Sequence, residues 1–557
     1  MENQVAILDA KGNPLKPSRA MALAGGNNSM PYDAADIHGQ HTAEWNPYLW
    51  SPDASLNMFR DRMVARVRDL VRNDGWASGA VTRILDNAVG ANFRPISKPD
   101  YRALAALTGN KGFDAKWAEE YGREVDARYR LWAEDDGRYC DGIRKQTMSQ
   151  MLRLAFRHKI VDGDALAQLL WLPRRVGYGR ARYATAVLII DPDRLSNPQL
   201  QFDMRDMRGG VKIDEIGAPI GYFIRQAHQA DWFVADKAVT WDFIPRETSW
   251  GRPIIVHDYD LEQANQHRGT GILAPVVQRL KALIKYDGAE LDAAILNAIF
   301  ASYIESPHDP ALVESALAGA DEMPAYQNAR TDFHKEKRLS INGARIPILF
   351  PGEKINTVSA ARPTTNFADF EKAVLRNFAS CAGLSAQQVS QDWSDVNYSS
   401  ARGALLEAWK TLDRRRIDFA IGFAGPVRSA WLEECHEVDK LPMPNGVVPD
   451  FAEARGAFGR SMWLGPGVGW MDPVAEKEGA IMGMGAGLSN LELEAAQQGL
   501  DWEENLDQLA REKEAFESRG LEAPTSWLAQ MTKQPQQQQR QPGQGPAQDQ
   551  QKAGNKQ

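Results

Sequence analysis

Apolar positions along the chain change their period twice. Met58, Met63, Val67, Leu70 and Val71 recur at helical spacing, and the stretch stops at Asn73, Asp74 and Gly75. Order is therefore expected to begin near Asn57. A second short helix is predicted over 76–90, closed by Gly90. A third, over 114–134, lines up Trp117, Tyr121, Val125, Tyr129 and Trp132 on one side. Residues 147–161 read as a fourth. The period then shortens. The runs 165–172, 185–190, 211–213, 221–224 and 254–257 are β-branched or aromatic and bounded by Gly, Pro, Asp and Asn, as strands are. Residues 215–222 carry turn chemistry between two of them, which predicts a hairpin.

Past Arg268–Gly271 the helical period returns. Val276, Leu280, Leu283, Ile284, Leu291, Ile295, Ala298 and Ile299 carry one helix to about Glu305, with Pro275 harmless in its first turn. Roughly 30 residues at 1.5 Å each make it ~45 Å long. Residues 306–366 break up, with one strand-like run at 346–350. A second helix spans 367 to about 383. A polar and aromatic stretch, 385–398, follows, and Ser399 or Ser400 offers an N-cap for another long helix. That helix repeats Ala401, Leu405, Ala408, Trp409, Leu412, Phe419, Phe423, Val427 and Trp431. Gly422, Gly425 and Pro426 inside it predict a kink. Residues 472–518 read as acidic helices. The first ~50 residues, rich in Gly and Asn, and the Gln-rich end beyond 534 lack the apolar content to build a core.

Composition narrows the classes. Lys+Arg is 65 and Asp+Glu is 73, giving a net charge of −8. This argues against a surface that is wholly a nucleic-acid glove, while leaving room for a local basic strip. Three cysteines cannot make a disulfide framework. Residues 1–17 lack the pattern of a secretory signal, and no run approaches the ~18 apolar residues of a membrane span. Sixteen Trp supply much packing or interface surface.

Candidate chemistry is sparse. A P-loop requires Gly-Lys followed by Ser or Thr, and Gly-Lys never occurs. The glycine runs at 465–469 and 483–487 follow no strand of a βαβ unit and read as turns. His38 and His41 have no Cys or acidic partner at ligand spacing, so no metal site is expected. Cys435 and His436 are neighbours on a helix and point about 100° apart; a buried small Cys is the simpler reading. One cationic cluster stands out: Arg414, Arg415 and Arg416, preceded by Arg402 and Lys410. Alone it reads first as a solvated helix face.

The order of local segments says more. LVRNDGWASGA (70–80), NAVGANF (87–93), RLSNP (194–198), GVKIDEIGAPIGY (210–222) and FIPRE (243–247) come first. RGTG (268–271), YIES (303–306), LFPGE (349–353) and YSSARGALLEAW (398–409) follow. Together, from about residue 56 to 518, they resemble lambda-type tailed-bacteriophage portal proteins. The resemblance implies an α+β portal fold in a ring oligomer, normally of twelve subunits, at one capsid vertex. Mapped onto this chain, 1–55 is a flexible arm, 56–270 an α/β wing, and 271–305 the first stem helix. The clip becomes 306–366, the second stem helix 367–384, and the tunnel loop 385–398. A kinked wing helix and return segment occupy 399–469, a helical crown 470–520, and a disordered Gln-rich tail 521–557.

The same resemblance implies a structural protein of the virion, assembled in the host cytoplasm, with no catalysis, cofactor, metal or membrane. Double-stranded DNA would enter and leave through its axis. Partners would be the terminase large subunit, then head–tail connector proteins, with major capsid and scaffold proteins around them. Tunnel-loop residues Gln391, Asp392, Trp393, Ser394, Asp395, Asn397 and Tyr398 would face DNA. Arg402, Lys410, Arg414, Arg415 and Arg416, with Arg279, Lys281 and Lys285 on the first stem helix, are candidates for contacts with DNA or a neighbouring subunit. The competing readings are a ring-forming head or neck connector that never guides DNA, and a nuclease, for which no carboxylate constellation speaks.

Overall fold

The computed structural model describes residues 41–300 except 179, 338–341, 344–347, 367–467 except 395, and 473–521, with residues 11, 33–35 and 332 besides. The expected arm before residue 41, most of the expected clip, Asp395 and the Gln-rich tail lie outside the described residues. Across these residues the chain mixes helices with four small antiparallel sheets.

The chain enters through two helices packed on each other, α1 (Pro52–Asn73) and α2 (Gly75–Ala88). Order starts earlier than the expected Asn57, because Ser51 caps α1 and Pro52 fits its first turn. Met58 lies outside the core, whereas Val67, Leu70 and Val71 are buried. Strand β1 (Arg94–Ser97) and helix α3 (Tyr101–Thr108) follow; the apolar pattern announced neither. Helix α4 (Ala115–Ala133) buries all five residues of its expected face, and α5 (Met148–Asp162) starts from a capping box at Thr147.

The strand region holds β2 (Asp164–Trp171), β3 (Thr185–Ile190), β4 (Met207–Arg208), β5 (Val211–Ile213), β6 (Pro219–Arg225), β7 (Trp241–Pro245) and β8 (Ile255–Tyr259). Strands β3-β2-β8 form one sheet and β4-β5-β6-β7 a meander. The expected hairpin joins β5 to β6, with Asp214 Oδ1 accepting from the N–H groups of Ile216 and Ala218. Leu166, Ile190, Val211, Tyr222, Ile224 and Ile255 close a small second core between the sheets.

Long helix α6 (Val277–Phe300) follows a single tight turn at Ala274–Val276. Strands β9 (Arg338–Ile341) and β10 (Ala344–Pro347) pair as a hairpin. Helix α7 (Phe367–Ala382) returns along α6, with Tyr286 5.3 Å from both Phe367 and Phe370. Then come α8 (Ala386–Ser390), α9 (Tyr398–Phe419), α10 (Gly425–Val438), α11 (Arg455–Phe458) and β11 (Ser461–Leu464). Helices α12 (Pro473–Gly485), α13 (Leu491–Gln497) and α14 (Trp502–Glu517) complete the described chain.

One main core gathers α1, α2, α4, α5, the first turns of α6, α7, α9 and α10. Trp431 of α10 is fully buried, stacked on Trp132 at 5.6 Å and edged by Tyr129 and Tyr183. Between α9 and α10 the predicted kink residue Gly422 falls in a π-helical turn, Ala420–Ala424, and Gly425 and Pro426 sit in the first turn after it. A π turn leaves wider backbone spacing, and Pro there loses no needed hydrogen bond.

A buried ion cluster pins the first helix to the sheet. Asp164, fully buried, accepts from Arg60 Nη2 (2.7 Å), Arg268 Nε (2.8 Å) and Gly269 N (2.7 Å). Burial pushes its pKa up, but the Arg268 and Arg60 charges outweigh that and hold the carboxyl far below the usual range. Arg268 spends its other donors on the carbonyls of Leu195, Gly209 and Pro192. The backbone passes so close here that a Cβ on Gly269 would lie 2.1 Å from Gly163 O. The RGTG segment is thus a crossing point that excludes side chains.

Candidate functional site

The stretch from α7 to α9 was expected to be one loop, 385–398. Its first part is helical instead. Ser385 Oγ accepts from Gln388 N at 3.2 Å, and Gln388 Oε1 accepts from Ser385 N at 2.9 Å. This reciprocal cap nucleates α8. Gln391 ends it in the left-handed region (φ 57°) and donates from Nε2 to Gln388 O. The remaining loop is short and polar. Asp392 Oδ1 accepts from Ser394 Oγ (2.6 Å) and Ser394 N (3.1 Å), and these bonds lower its pKa. Asp392 is therefore an anion at neutral pH. Gln391, Asp392, Trp393, Ser394 and Asn397 are all exposed.

Asn397, rather than Ser399 or Ser400, caps α9. Its Oδ1 accepts from Ser400 N at 2.9 Å and Ser399 Oγ at 3.1 Å. An Asn with both a hydroxyl and an amide in reach outcompetes the serines, which then fall inside the first turn. Tyr398 starts the helix. The loop is thus held at both ends by caps, and its exposed side chains project between two fixed helix ends.

The basic residues of α9 are largely spent within the chain. Arg416 pairs with Asp413 and lies over the Trp409 ring at 5.7 Å. Arg415 turns inward: it donates to Ala382 O at 2.7 Å, closing the end of α7, and burial lowers its pKa. It is not a free surface cation. Arg414 pairs with Asp418 (3.2 Å) and Lys410 with Glu407 (3.0 Å), both exposed and one turn apart. Arg402 reaches Glu476 of α12 at 3.9 Å. Exposed pairs of this kind add little stability and leave their charges accessible. On α6, Arg279, Lys281 and Lys285 are exposed and make no ion pair with another described residue. Lys281 and Lys285 share one face, four residues apart.

Two carboxylate–histidine groups have ligand-like spacing, His158–Asp162–Asp191 and Asp191–Asp193–His228. Arg68 already fills the first: it donates to Asp162 (2.7 and 2.8 Å) and Asp191 (2.8 Å), and also to Asp193. The guanidinium supplies the positive charge that such a cluster needs. Cys435 is buried beside Tyr183 and Asp439, and burial pushes its pKa to about 12. His436 points elsewhere, to Tyr121. No helix among the described residues is long and apolar enough to cross a membrane. What the described residues offer is a scaffold with a capped polar loop.

A family model described as "Phage portal protein, lambda family" matches residues 38–416. The chain belongs to the lambda family of phage portal proteins. The portal protein of Escherichia phage N15 is 32% identical over 491 residues, covering 87% of this chain and 90% of that one. Portal protein B of Escherichia phage lambda is 30% identical, covering 88% and 90%. Among solved structures, this portal protein is similar to a chain from the virion of a native gene transfer agent particle. That likeness has a TM-score of 0.38 at 14% identity and covers 79% of this chain and 93% of that one.

Sequence reading missed several features of this portal protein. Arg60, Asp164 and Arg268 lie about 100 residues apart and carry no local signature. Arg94, Arg123 and Arg130 meet carboxylates about 400 positions away. Only the RGTG glycines hinted at a tight crossing.

Proposed function

We propose that this portal protein closes into a ring, normally of twelve copies, at one vertex of a phage capsid, and that double-stranded DNA passes through its axis. The observation that carries this reading is the continuous likeness to lambda portal protein B across 88% of the chain. On this reading residues 56–270 form the wing, α6 and α7 the stem, 306–366 the clip, and α12–α14 the crown. The clip would dock the terminase large subunit during packaging and head–tail connector proteins afterwards, with capsid and scaffold proteins around the rim.

Single-chain packing supports a ring. Leu291 and Ile295 on α6, Leu406 and Ile417 on α9, Ile421 in the π turn after it, Ile481 and Met482 on α12, and Leu488 just past its end are exposed. Apolar residues spaced along several elements need a second surface, and a heterologous contact closed by rotation supplies one to every subunit. The loop after α8 would face the channel. Its charge is acidic, and a net charge of −8 suits a passage that lets phosphate slide. A collar of Lys and Arg would grip DNA by counterion release.

Negative-stain images and mass photometry of the purified protein test the proposal. Rings of about twelve subunits with an axial hole wide enough for a duplex are expected. Compact monomers at micromolar concentration would overturn it.

A further inference from the structure

Helices α12–α14 are joined to the rest of the chain almost without a core. Of residues 473–521 only Ala495 is buried. Charge holds them instead. Arg94, from β1, donates through both terminal nitrogens to Glu504, at 2.7 and 3.2 Å. Arg130, from α4, reaches the same carboxylate at 2.6 Å. Arg123, two turns earlier on α4, takes Glu503 at 2.7 Å, and Lys98 takes Glu492 at 2.6 Å. Beneath the first turn of α14 lies a cavity of about 570 Å3, walled by β1 and α4 and lined by these cations.

Seen without α14, that wall is a basic surface on two rigid elements. Glu119 on α4 and Glu134 just past its end are exposed carboxylates that also line it, and the less exposed Asp126 of α4 accepts from Ser97. Arginine forks converging on one carboxylate from two sides have the donor geometry that suits a phosphate. Adjacent Glu503 and Glu504, each with its own arginine set, present two successive anions, as a phosphodiester chain does. The pairs are partly exposed, with Arg123 67% and Arg130 45% accessible, so each contributes little and salt screens it.

We propose that this wall is a binding site for the phosphate chain of double-stranded DNA, covered in this structure by α14 acting as a displaceable acidic mimic. Duplex and α14 then compete for Arg94, Arg123 and Arg130. The inference rests on the reading that DNA meets this protein, but it requires no ring, and its test is separable from ring imaging.

The test measures binding of a short duplex to the full chain across a range of NaCl concentrations. Compared are wild type, Glu503→Gln/Glu504→Gln, and that double variant with Arg94→Gln, Arg123→Gln and Arg130→Gln added. Freeing three arginines is expected to tighten binding at least about tenfold at low salt. It should also steepen the log–log salt slope by roughly 2.7, at about 0.9 per phosphate. Adding the arginine changes should return both to wild-type values. In wild type, excess duplex should speed hydrogen exchange in 502–517. Equal affinity and slope for wild type and the glutamine pair would overturn the proposal, as would a gain that survives loss of the arginines. Ring formation, imaged on the same samples, reports separately on the portal reading.

Discussion

His436 shows how one side chain can set a pH response. Its Nε2 is hydrogen-bonded to the Tyr121 hydroxyl at 2.6 Å, and Phe451 and Phe458 wall the ring at 4.8 and 4.9 Å. Burial depresses its pKa to about 4. Unfolded, the imidazole takes a proton near pH ~6.5. The stability contributed by the neutral ring is therefore full above that pH and is lost as pH falls toward 4. The loss should reach about 3 kcal/mol by pH 4. Urea titrations at pH 7 and pH 4.5 should show a smaller difference for His436→Gln than for wild type; equal differences would clear His436 of the role. Asp164 poses the same question for a buried pair. Arg268→Ala strips one guanidinium from it and leaves three carbonyls short of a donor. The expected cost is about 3–5 kcal/mol, read from the denaturant midpoint.

Among the elements, the π turn between α9 and α10 has a visible cause. A Cβ on Gly422 would lie 2.3 Å from Asp258 Oδ1, and Asp258 is itself held by Lys159 at 2.8 Å. Gly422→Ala must push that carboxylate aside or shift the turn, at about 1–3 kcal/mol. Gly403, on the same helix line, faces open space. Gly403→Ala should stabilise by about 0.5–1 kcal/mol, so the two alanine variants should move a urea midpoint in opposite directions. This contrast marks what the sequence could convey. Gly422, Gly425 and Pro426 announced a disturbance in the helix, because Gly and Pro disrupt it locally. That the disturbance is a π turn seated on Asp258 depends on a strand more than 150 residues away. Helices α4 and α5 and strand β3 were legible for the same local reason: their period and caps lie within a few residues. Strands β1, β7 and β11 were not, since short strands on a sheet edge need only a partner. At the candidate site the exposed polar loop was legible from composition. Its shortening by α8 hung on Gln388 reaching back to Ser385.

At the scale of the whole molecule, the proposed ring gives the exposed apolar residues of α6 a role in assembly. Leu291→Asp with Ile295→Asp should leave the urea midpoint of the single chain within about 0.5 kcal/mol, because both residues are already exposed. Mass photometry should nonetheless show fewer rings. On the proposed reading, charge in the loop after α8 bears on DNA passage instead. Asp392→Lys with Asp395→Lys is expected to slow DNA packaging in a reconstituted assay while rings still form; unchanged packaging would remove the loop from contact with DNA.

Among the described residues strand β1 pairs only with β11, so Arg94 lies opposite Leu464. A ribosome making this chain exposes the first strand of that pair hundreds of residues before the second exists. Trp463, which stacks on Phe93 at 4.9 Å, is equally late. The segment around β1 therefore waits, with an open strand edge and an uncovered aromatic ring, until residue 464 has been made. A subunit cut short before residue 461 lacks its closing strand. Incomplete synthesis thus yields a chain that fails at its own seam, and in the ring proposed above such a chain should be excluded before it can spoil the closure.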